Sequence, residues 1–404
     1  MSTLIEKKYR GDFPLLCKEN PPIFFDNACM TLKPRQVIDA VCSYYSDYPV
    51  CEGRSAHAMA LKLDAEMSNA RRAMKDFIGA SSINEICFTK NTTEALNIIA
   101  NGFDWKPGDV VCVSDKEHNS NFLPWFRLQE TRGVKLRVVP SGDDNKMSLD
   151  NWKKAIEESK PRMISFYLTS NLDGETSPAA ELTKLAKSHG AMVCLDGAQG
   201  AAHIPLNVAE MGIDFMGMSI HKMCGPTAMG VLWGRLEELR KLNQLATGGG
   251  TVTSVTYEEA RFLEPPRRFE PGLQNYAGVA GVRPAVEYIE SIGRTRIHQH
   301  EIALNEHLQE LILKIPGVNI IGPSKAADRG GITSITVDGY NVHDLALLFD
   351  DMAGVMMRAG FHCVHGWFNS RKIDGTLRVS TYLYNTIEEI EIFAKTLEEI
   401  VKEG

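Results

Sequence analysis

Between about residue 85 and residue 235, short apolar runs bounded by turn residues alternate with longer segments whose apolar residues recur at helical spacing. The apolar runs, in chain order, are EICFTK, DVVCVSD, KLRVVPS, RMISFYLTS, AMVCLDGA and AMGVLWG. Strands that read as continuous apolar runs are typical of a parallel sheet, because helices cover both of its faces. The alternation therefore predicts an α/β fold built on a mainly parallel sheet.

After about residue 285 the pattern changes to long charged helical segments around a few strand-like runs. The final helix is expected to start at the capping-box spacing of Thr386 and Glu389. Its apolar stripe is formed by Ile390, Phe393, Leu397 and Ile400. Since 404 residues also exceed the size at which one core keeps growing, we predict a large α/β domain over 20–280 and a smaller α+β domain over 1–19 and 281–404.

The charge pattern excludes some classes of partner. The net charge is −7, and Lys and Arg are scattered rather than gathered into basic runs, so neither nucleic acid nor a membrane is indicated as a partner. The N-terminus lacks an apolar stretch of signal-peptide length, and no later run approaches the roughly 18 apolar residues of a membrane helix. We expect a cytoplasmic protein that acts on a small molecule.

The cysteines carry less information than their number suggests. Nine of them are spread along the chain without a C-x-x-C pair, so no metal site or redox dithiol is predicted. An odd number of widely spaced cysteines is typical of free thiols in a reducing compartment. Cys87, Cys112 and Cys194 lie inside apolar runs and are expected to be buried.

Polar residues follow several of the apolar runs, and ligands bind at the carboxyl ends of strands in such folds. Asp196 follows one run, and taken alone it could simply cap a turn. Lys222 lies in a polar break between two apolar segments, where a lysine could be an exposed loop residue. A lysine whose pKa is lowered in a semi-buried site, however, forms Schiff bases with carbonyl cofactors. Thr92 and Thr93 precede an apolar helical pattern and could hold a phosphate or serve as ordinary N-caps.

The pattern Asp-x-Ala-Gln at 196–199, followed by Ser-x-His-Lys at 219–222, resembles the cofactor site of the class V aminotransferase superfamily of pyridoxal-phosphate enzymes. Further blocks follow in the family's order, namely Phe25 to Ala28, Asn91 to Asn97, Glu117-His118, Ser170-Asn171, Gly248 to Gly250 and Arg268 to Glu270. The similarity covers nearly the whole chain. It implies a fold type I transferase with pyridoxal 5'-phosphate as its cofactor.

The resemblance also implies a role for each matched residue. Lys222 would bond covalently to the cofactor, and Asp196 would pair with the pyridinium nitrogen, keeping the ring a strong electron sink. His118 would stack on the ring as a catalytic residue, and Gln199 would hydrogen-bond the phenolic oxygen. The implied phosphate contacts are Thr92, Thr93, Ser219 and His221.

The stretch 358–365, followed by Arg378, resembles the Suf-type (group II) branch of cysteine desulfurases and selenocysteine lyases. That resemblance implies that Cys363 receives sulfur as a persulfide, that Arg378 binds the substrate carboxylate and that Asn171 contacts the substrate. A bidentate arginine suits a carboxylate geometrically. The implied reaction converts L-cysteine to L-alanine for sulfur delivery such as iron–sulfur cluster assembly. The implied partners are a second copy in a homodimer and a sulfur-acceptor protein.

Attack on sulfur needs a thiolate, and His362 and His365 flank Cys363, where an imidazole could accept its proton. Two alternatives stay open. The first is another class V reaction on a small amino acid, such as that of a selenocysteine lyase, another lyase, an epimerase or a transaminase, with Cys363 incidental. The second is a scaffold that kept the fold and lost the reaction.

Some positions depart from the family's pattern, namely Asn119, Asp173, Cys224, Leu273 and Phe361. Leu273 replaces a threonine that usually reaches the phosphate bound in the partner subunit. Arg54 and His57, by contrast, match the pattern. We expect the departures to ring the substrate side of the site.

Overall fold

The computed structural model of the protein describes residues 4–5, 7–53 and 55–403, so Arg54 and the outermost ends of the predicted small domain lie outside the described residues. The strands are β1 (Ile23–Phe24), β2 (Ile86–Thr89), β3 (Val110–Ser114), β4 (Lys135–Val139), β5 (Met163–Tyr167), β6 (Met192–Asp196), β7 (Phe215–Ser219), β8 (Gly230–Gly234), β9 (Val252–Val255), β10 (Ala260–Phe262), β11 (Val318–Ile321), β12 (Ile332–Val337), β13 (Val355–Met356), β14 (Arg358–Gly360) and β15 (Thr376–Ser380). The α-helices are α1 (Arg35–Asp47), α2 (Ala58–Ile78), α3 (Thr92–Gly102), α4 (Asn119–Arg132), α5 (Leu149–Ser159), α6 (Ala179–Ser188), α7 (Val208–Met211), α8 (Leu236–Leu239), α9 (Tyr276–Ala280), α10 (Val282–Ile292), α11 (Arg294–Ile312), α12 (Val342–Ala353), α13 (His365–Arg371) and α14 (Ile387–Glu403).

The large sheet has the strand order β2-β8-β7-β6-β5-β3-β4. The five strands from β7 to β4 run parallel, whereas β8 is antiparallel to both of its neighbours. Successive residues such as Cys112 and Val113 belong to different hydrophobic cores, because side chains alternate between the two covered faces of the sheet. The predicted α/β fold with a mainly parallel sheet is confirmed, as is the burial of Cys87, Cys112 and Cys194.

Strand β7 corresponds to the apolar segment DFMGM that precedes Lys222, which stands apart from the six runs and contains Gly217. The structure shows why a glycine is needed there. A Cβ atom at Gly217 would lie 3.1 Å from Thr92 Cγ2 and 3.3 Å from the Ala95 Cβ atom. The missing side chain therefore lets the first turn of α3 pack directly on the sheet.

The parallel strands bring their carboxyl ends to one edge of the large sheet. There β3 leads to His118, β5 to Asn171, and β6 ends at Asp196 itself. Strand β7 runs directly into a turn of 3₁₀ helix, Ile220–Lys222. Residues that are far apart in the sequence thus meet at this edge.

A second, antiparallel sheet has the order β11-β12-β15-β14 and packs on α11, α12 and α14 around its own core. Arg358 on β14 lies opposite Arg378 on β15. The capping box of α14 is confirmed, since Thr386 Oγ1 accepts from the Glu389 N–H and Glu389 accepts from the Thr386 N–H. The four residues of its apolar stripe are all buried.

The predicted domain boundaries, 20–280 against 1–19 and 281–404, stay a prediction. The chain around β1 shows that the division is not simple, because β1 pairs with β13 and Asp26 bridges to Ser380 on β15. Among the described residues, no helix combines the length and the apolar character that crossing a membrane requires.

A buried ion pair fastens the edge of the large sheet. The Arg71 guanidinium on α2 donates to Glu270 through Nη1 to Oε1 (2.7 Å) and Nη2 to Oε2 (2.5 Å). Glu270 Oε1 also accepts from the Phe88 N–H on β2. Both side chains are more than nine-tenths buried, so each charge depends on the other.

We predict that Glu270→Ala destabilises the protein by about 3–5 kcal/mol, because it leaves the Arg71 charge buried and unpaired. The measurement is the urea midpoint of unfolding. Glu264→Ala is the matched control, since Glu264 pairs with Arg240 on the surface and both side chains are more than half exposed. Equal midpoints for the two variants would contradict the prediction.

Candidate active site

A cavity of about 230 Å³ opens at the carboxyl edge of the large sheet, where the second sheet meets it. All eleven site residues named from the sequence line it, namely Thr92, Thr93, His118, Asn171, Asp196, Gln199, Ser219, His221, Lys222, Cys363 and Arg378. The large sheet and α3 supply nine of them, and the second sheet and its loop supply Cys363 and Arg378. The structure thus brings the residues together, and the role of each stays a prediction.

Lys222 lies on the 3₁₀ turn after β7, and its side chain faces the cavity. Burial lowers the pKa of Lys222 from its ordinary 10.5 to about 8, and the negative charge of Asp196 opposes that shift. Near neutral pH a useful fraction of this amine is therefore unprotonated. An unprotonated lysine amine is the nucleophile that condenses with a carbonyl group.

Asp196 ends β6 and is buried. Burial raises the pKa of its carboxyl group, while the hydrogen bond from the Ala198 N–H (2.9 Å to Oδ1) and the charge of Lys222 oppose the rise. Gln199, one turn further, donates from Nε2 to the Ala28 carbonyl oxygen at 2.6 Å. Its Oε1 atom is buried and has no partner within the described chain, so a group that fills the cavity can satisfy it.

His118 is the N-cap of α4, and its Nδ1 atom accepts a hydrogen bond from the Ser120 N–H at 3.0 Å. Burial, followed by the positive charges of Lys222 and Arg378, lowers the pKa of His118 from 6.5 to about 3. The imidazole is therefore neutral at physiological pH. Because Nδ1 accepts, the ring proton resides on Nε2.

The amino end of α3 forms one wall of the cavity. The N-cap is Asn91, whose side chain accepts from the Glu94 N–H, so Thr92 and Thr93 are the first residues of the helix rather than its caps. Ser219 Oγ accepts from the Thr92 N–H at 3.0 Å. His221 Nδ1 is buried without a partner in the described structure. This combination of hydroxyls, an imidazole and a helix amino end suits an anion.

Arg378 is buried in β15, and three of its contacts define the opposite wall. Its Nη1 donates to the Asn171 carbonyl oxygen at 2.9 Å, and its Nη2 lies 3.5 Å from Asp26 Oδ1. Its Nε atom has no partner among the described residues. Burial lowers the pKa of Arg378 from 12.5 to about 10, so the guanidinium stays charged at neutral pH and can take a carboxylate.

Cys363 is exposed, and its loop is anchored from both sides of the cavity. The Asn119 N–H donates to the Cys363 carbonyl oxygen at 2.7 Å, and Asn171 Nδ2 donates to the His362 carbonyl oxygen at 2.7 Å. His362 and Cys363 adopt positive φ angles of 46° and 60°. Such backbone is unusual for non-glycine residues and is held by these contacts.

The hydrogen bonds that the structure gives the two histidines beside Cys363 are made to groups other than its sulfur. His362 Nε2 contacts the Thr376 carbonyl and hydroxyl oxygens, and His365 Nδ1 lies 3.0 Å from Asn119 Nδ2. Burial lowers the pKa of His362 to about 2, so it carries no charge. A role for either ring in taking the proton of the Cys363 thiol stays a prediction.

The departures from the family pattern do not ring the cavity, contrary to our expectation, since none of Asn119, Asp173, Cys224, Leu273 or Phe361 lines it. Asp173 is instead buried in an ion pair with Lys116 (2.9 Å). Burial raises the pKa of the Cys224 thiol to about 12. Asp173 and Cys224 are thus buried in the fold, whereas Leu273 is 73% exposed and lies away from this cavity.

Two residues of the cavity wall were not assigned from the sequence. Arg358 Nη2 donates to Asp26 Oδ2 at 3.1 Å and to Cys29 Sγ at 2.8 Å. Arg358 begins the stretch 358–365 that contains Cys363, and Cys29 directly follows the Phe25 to Ala28 block. Their closeness to these two motifs was the signal that could have identified both residues. Their pairing depends on the contact between β1 and β13.

The cavity fits a phosphorylated aromatic aldehyde such as pyridoxal phosphate. An amine with a lowered pKa, a buried carboxylate and a helix amino end lie around one space. Two buried polar atoms there, Gln199 Oε1 and His221 Nδ1, have no protein partner in the described chain. Orphaned buried polar atoms are costly unless a ligand or water satisfies them.

The sequence matches known proteins along its whole length. The family model described as aminotransferase class-V matches residues 23–393. A probable cysteine desulfurase from Streptomyces coelicolor is 36% identical over 402 residues, covering 97% of this chain and 96% of that protein. A probable cysteine desulfurase from Methanothermobacter thermautotrophicus is 35% identical over 400 residues and covers 98% of both chains.

Solved structures agree with these matches. The apo cysteine desulfurase from Thermococcus onnurineus NA1 superposes with a TM-score of 0.94 at 35% identity and covers 100% of both chains. The cysteine desulfurase CsdA of Escherichia coli, in an S-sulfonic acid form, superposes with a TM-score of 0.91 at 27% identity and covers 99% of both chains.

We predict that Lys222 reacts with an aromatic aldehyde at a rate that rises with pH and is half-maximal near pH 8, because only the neutral amine attacks. Asp196→Asn should move that midpoint to lower pH, since the carboxylate charge raises the pKa of Lys222. The measurement is borohydride trapping followed by peptide mass spectrometry.

Lys241 is the internal control. Its side chain is exposed, and the hydrogen bond to Glu238 raises its pKa, so it should react only at more alkaline pH. A common midpoint for both lysines would contradict the prediction.

Proposed function

This chain belongs to the class-V aminotransferase family, and we propose that it is a pyridoxal-phosphate-dependent cysteine desulfurase that converts L-cysteine to L-alanine and retains the sulfur on Cys363. One observation carries the proposal. The exposed thiol of Cys363 lies on the wall of the same cavity as Lys222 and Asp196. A sulfur acceptor and a carbonyl-binding amine therefore face one substrate-sized space.

The residues that would hold the cofactor divide by chemistry. Lys222 would bind its aldehyde carbon, and Asp196 would face its ring nitrogen. The phosphate would bind at the amino end of α3, with the hydroxyls or imidazole of Thr92, Thr93, Ser219 and His221. When bound, pyridoxal phosphate supplies an electron sink that makes the bonds around the substrate's α-carbon labile.

Arg378 would orient the substrate. Its charged guanidinium is buried, and its free Nε atom leaves one donor for a carboxylate. The contact from Arg378 Nη1 to the Asn171 carbonyl oxygen fixes the plane of the guanidinium. An arginine held in this way binds an α-carboxylate in one orientation, which directs the substrate side chain.

Two groups would handle the reacting atoms. Lys222, whose pKa is about 8, can accept and return a proton near neutral pH. Cys363, as a thiolate, would attack the sulfur of the substrate and keep it as a persulfide, while the electron pair of the broken Cβ–Sγ bond stays with the carbon skeleton. Protonation of that carbon then yields alanine.

We also propose the compartment in which the protein works and the kind of partner that takes its sulfur. The cysteines at all nine positions are free thiols, as a reducing cytoplasm would keep them. Since the persulfide would form on an exposed loop, a sulfur-acceptor protein can reach it, and delivery to iron–sulfur cluster assembly is one such use.

We predict that Cys363→Ala abolishes persulfide formation from L-cysteine and lowers the rate of alanine release by at least about 100-fold, as expected when a nucleophile is lost. The measurements are alanine release and the protein-bound sulfur found by mass spectrometry. Cys42→Ala is the matched control, because Cys42 is also exposed but does not line the cavity. Equal alanine release from both variants would favour a reaction in which Cys363 is incidental.

We further propose a homodimer. Large apolar side chains are exposed around the β9–β10 hairpin, with Tyr257 fully exposed and Leu273 73% exposed. A second cavity of about 430 Å³, lined in part by Leu273 and Gly250, adjoins this surface. Exposed apolar area of this kind is typical of a surface that another protein covers.

Sedimentation should therefore give twice the chain mass of 44.8 kDa. The double variant Tyr257→Asp, Leu273→Asp should shift the equilibrium toward the monomer, because it places charges at a buried interface. Leu313→Asp, at an exposed leucine of the second sheet's helical layer, should leave the mass unchanged. A monomeric wild-type protein would refute the homodimer.

A further inference from the structure

The cavity contains a second thiol that the proposed function does not use. Cys29 lies a few residues after β1, is partly buried, and lines the same cavity as Lys222 and Cys363. Among the described residues, Cys29 and Cys363 are the cysteines on that wall. The other cysteines do not line this cavity, so these two carry the thiols that a substrate in it would meet.

Cys29 is held by a cation. Arg358 Nη2 donates to Cys29 Sγ at 2.8 Å and to Asp26 Oδ2 at 3.1 Å. Because Arg358 belongs to β14, which leads into the Cys363 loop, one guanidinium joins the segments that carry the two thiols. Its positive charge touches the sulfur atom that must be negative when a cysteine attacks another sulfur.

Other groups on the wall also respond to this sulfur. Burial lowers the pKa of Lys222 to about 8, and the charge that Cys29 can carry opposes that shift. Burial lowers the pKa of Arg378 to about 10, and Cys29 opposes that shift as well. A negative sulfur at Cys29 would thus lie in a cationic part of the cavity.

The wall that carries Cys29 also holds the buried polar atoms that the proposed function gives to the cofactor and the substrate. Gln199 and Arg378 are more than nine-tenths buried, and Gln199 Oε1 and Arg378 Nε have no partner in the described chain. A cavity with such groups is built to receive a polar ligand near both thiols.

We propose that Cys29 is a second sulfur-accepting residue, which takes the terminal sulfur from the Cys363 persulfide. The inference rests on the proposed function, because that reaction supplies the persulfide. Cys29 Sγ donates an electron pair to the terminal sulfur and forms a new S–S bond. The bond between that sulfur and Cys363 Sγ breaks, and its electron pair stays on Cys363 as a thiolate.

The transfer needs no oxidant or reductant. One S–S bond replaces another, and the proton of the persulfide, where present, travels with the terminal sulfur. The result is a persulfide on Cys29 and a free Cys363 thiolate, ready for another molecule of cysteine. In the absence of an acceptor, the chain would therefore store one sulfur atom on each of the two cysteines.

Because the two thiols differ in exposure, the transfer would protect the sulfur. Cys363 is exposed, so its persulfide would be open to any thiol in solution, whereas Cys29 is partly buried. Cys363 and Cys29 line the same cavity, and a movement of the Cys363 loop that breaks its hydrogen bonds with Asn119 and Asn171 would bring the two sulfur atoms together. Sulfur held on Cys29 is thereby sheltered from thiols in solution until an acceptor has removed the sulfur from Cys363.

The test uses the wild-type holoenzyme. It is turned over with L-cysteine without an acceptor, quenched in acid with an alkylating reagent, and digested for mass spectrometry of every cysteine peptide. We expect added sulfur on Cys363 and on Cys29. The exposed thiols Cys17 and Cys42 are matched controls for sulfur that exchanges through solution, and they should carry none.

Two variants test whether the sulfur passes from Cys363 to Cys29. Cys29→Ser should lower the maximum bound sulfur from two atoms per chain to one, which remains on Cys363. Cys363→Ser should leave Cys29 without sulfur, because Cys29 would receive it only from Cys363.

The other outcomes are distinguishable. Sulfur on Cys363 alone in the wild type would overturn the inference and leave the proposed function standing. Sulfur on neither cysteine would overturn both. Labelling of Cys29 in Cys363→Ser would show direct attack by Cys29, and labelling of Cys17 and Cys42 to the same extent as Cys29 would show exchange through solution. Either result would overturn the transfer proposed between the two cysteines.

Discussion

The electrostatic attraction between the buried groups Lys222 and Asp196 is the constraint on which the rest of the site depends. Asp196 ends β6, and Lys222 lies on the turn directly after β7. Burial disfavours the charged form of both side chains. Each offsets part of that cost for the other. The balance leaves an amine with a pKa of about 8, which a lysine in water does not have. A parallel sheet makes this possible because its strand ends meet at one covered edge.

The second sheet completes the site through a small number of hydrogen bonds to the loop after β5. Ser334 donates to the Leu172 carbonyl oxygen, Arg378 donates to the Asn171 carbonyl oxygen, and Asn171 in turn donates to the loop that carries Cys363. The Arg378 guanidinium and the Cys363 loop are therefore both held by the same short segment.

Much of this organisation could be predicted from the chain. Apolar runs located six strands of the large sheet, because a strand buried on both faces has little freedom in composition. The capping residues of α14 could be read directly, since a capping box is a contact between near neighbours. The apolar segment that forms β7 could be recognised before Lys222, but the need for Gly217 within it could not, because that need comes from the packing of α3, a contact across the fold. The directions of His362, His365 and Cys224 were likewise decided by remote partners.

The sequence by itself determined the chemistry available to this protein: an amine, a carboxylate, an arginine and a thiol in the order of the class-V aminotransferase family. Only the tertiary structure decided which groups share a cavity, that Cys29 is paired with Arg358, and that the substituted positions do not line that cavity. The physical reason is the separation along the chain of the residues that interact. Periodicity and capping report forces between residues a few positions apart, whereas burial, pKa shifts and side-chain direction arise from neighbours that the chain brings together only when it folds.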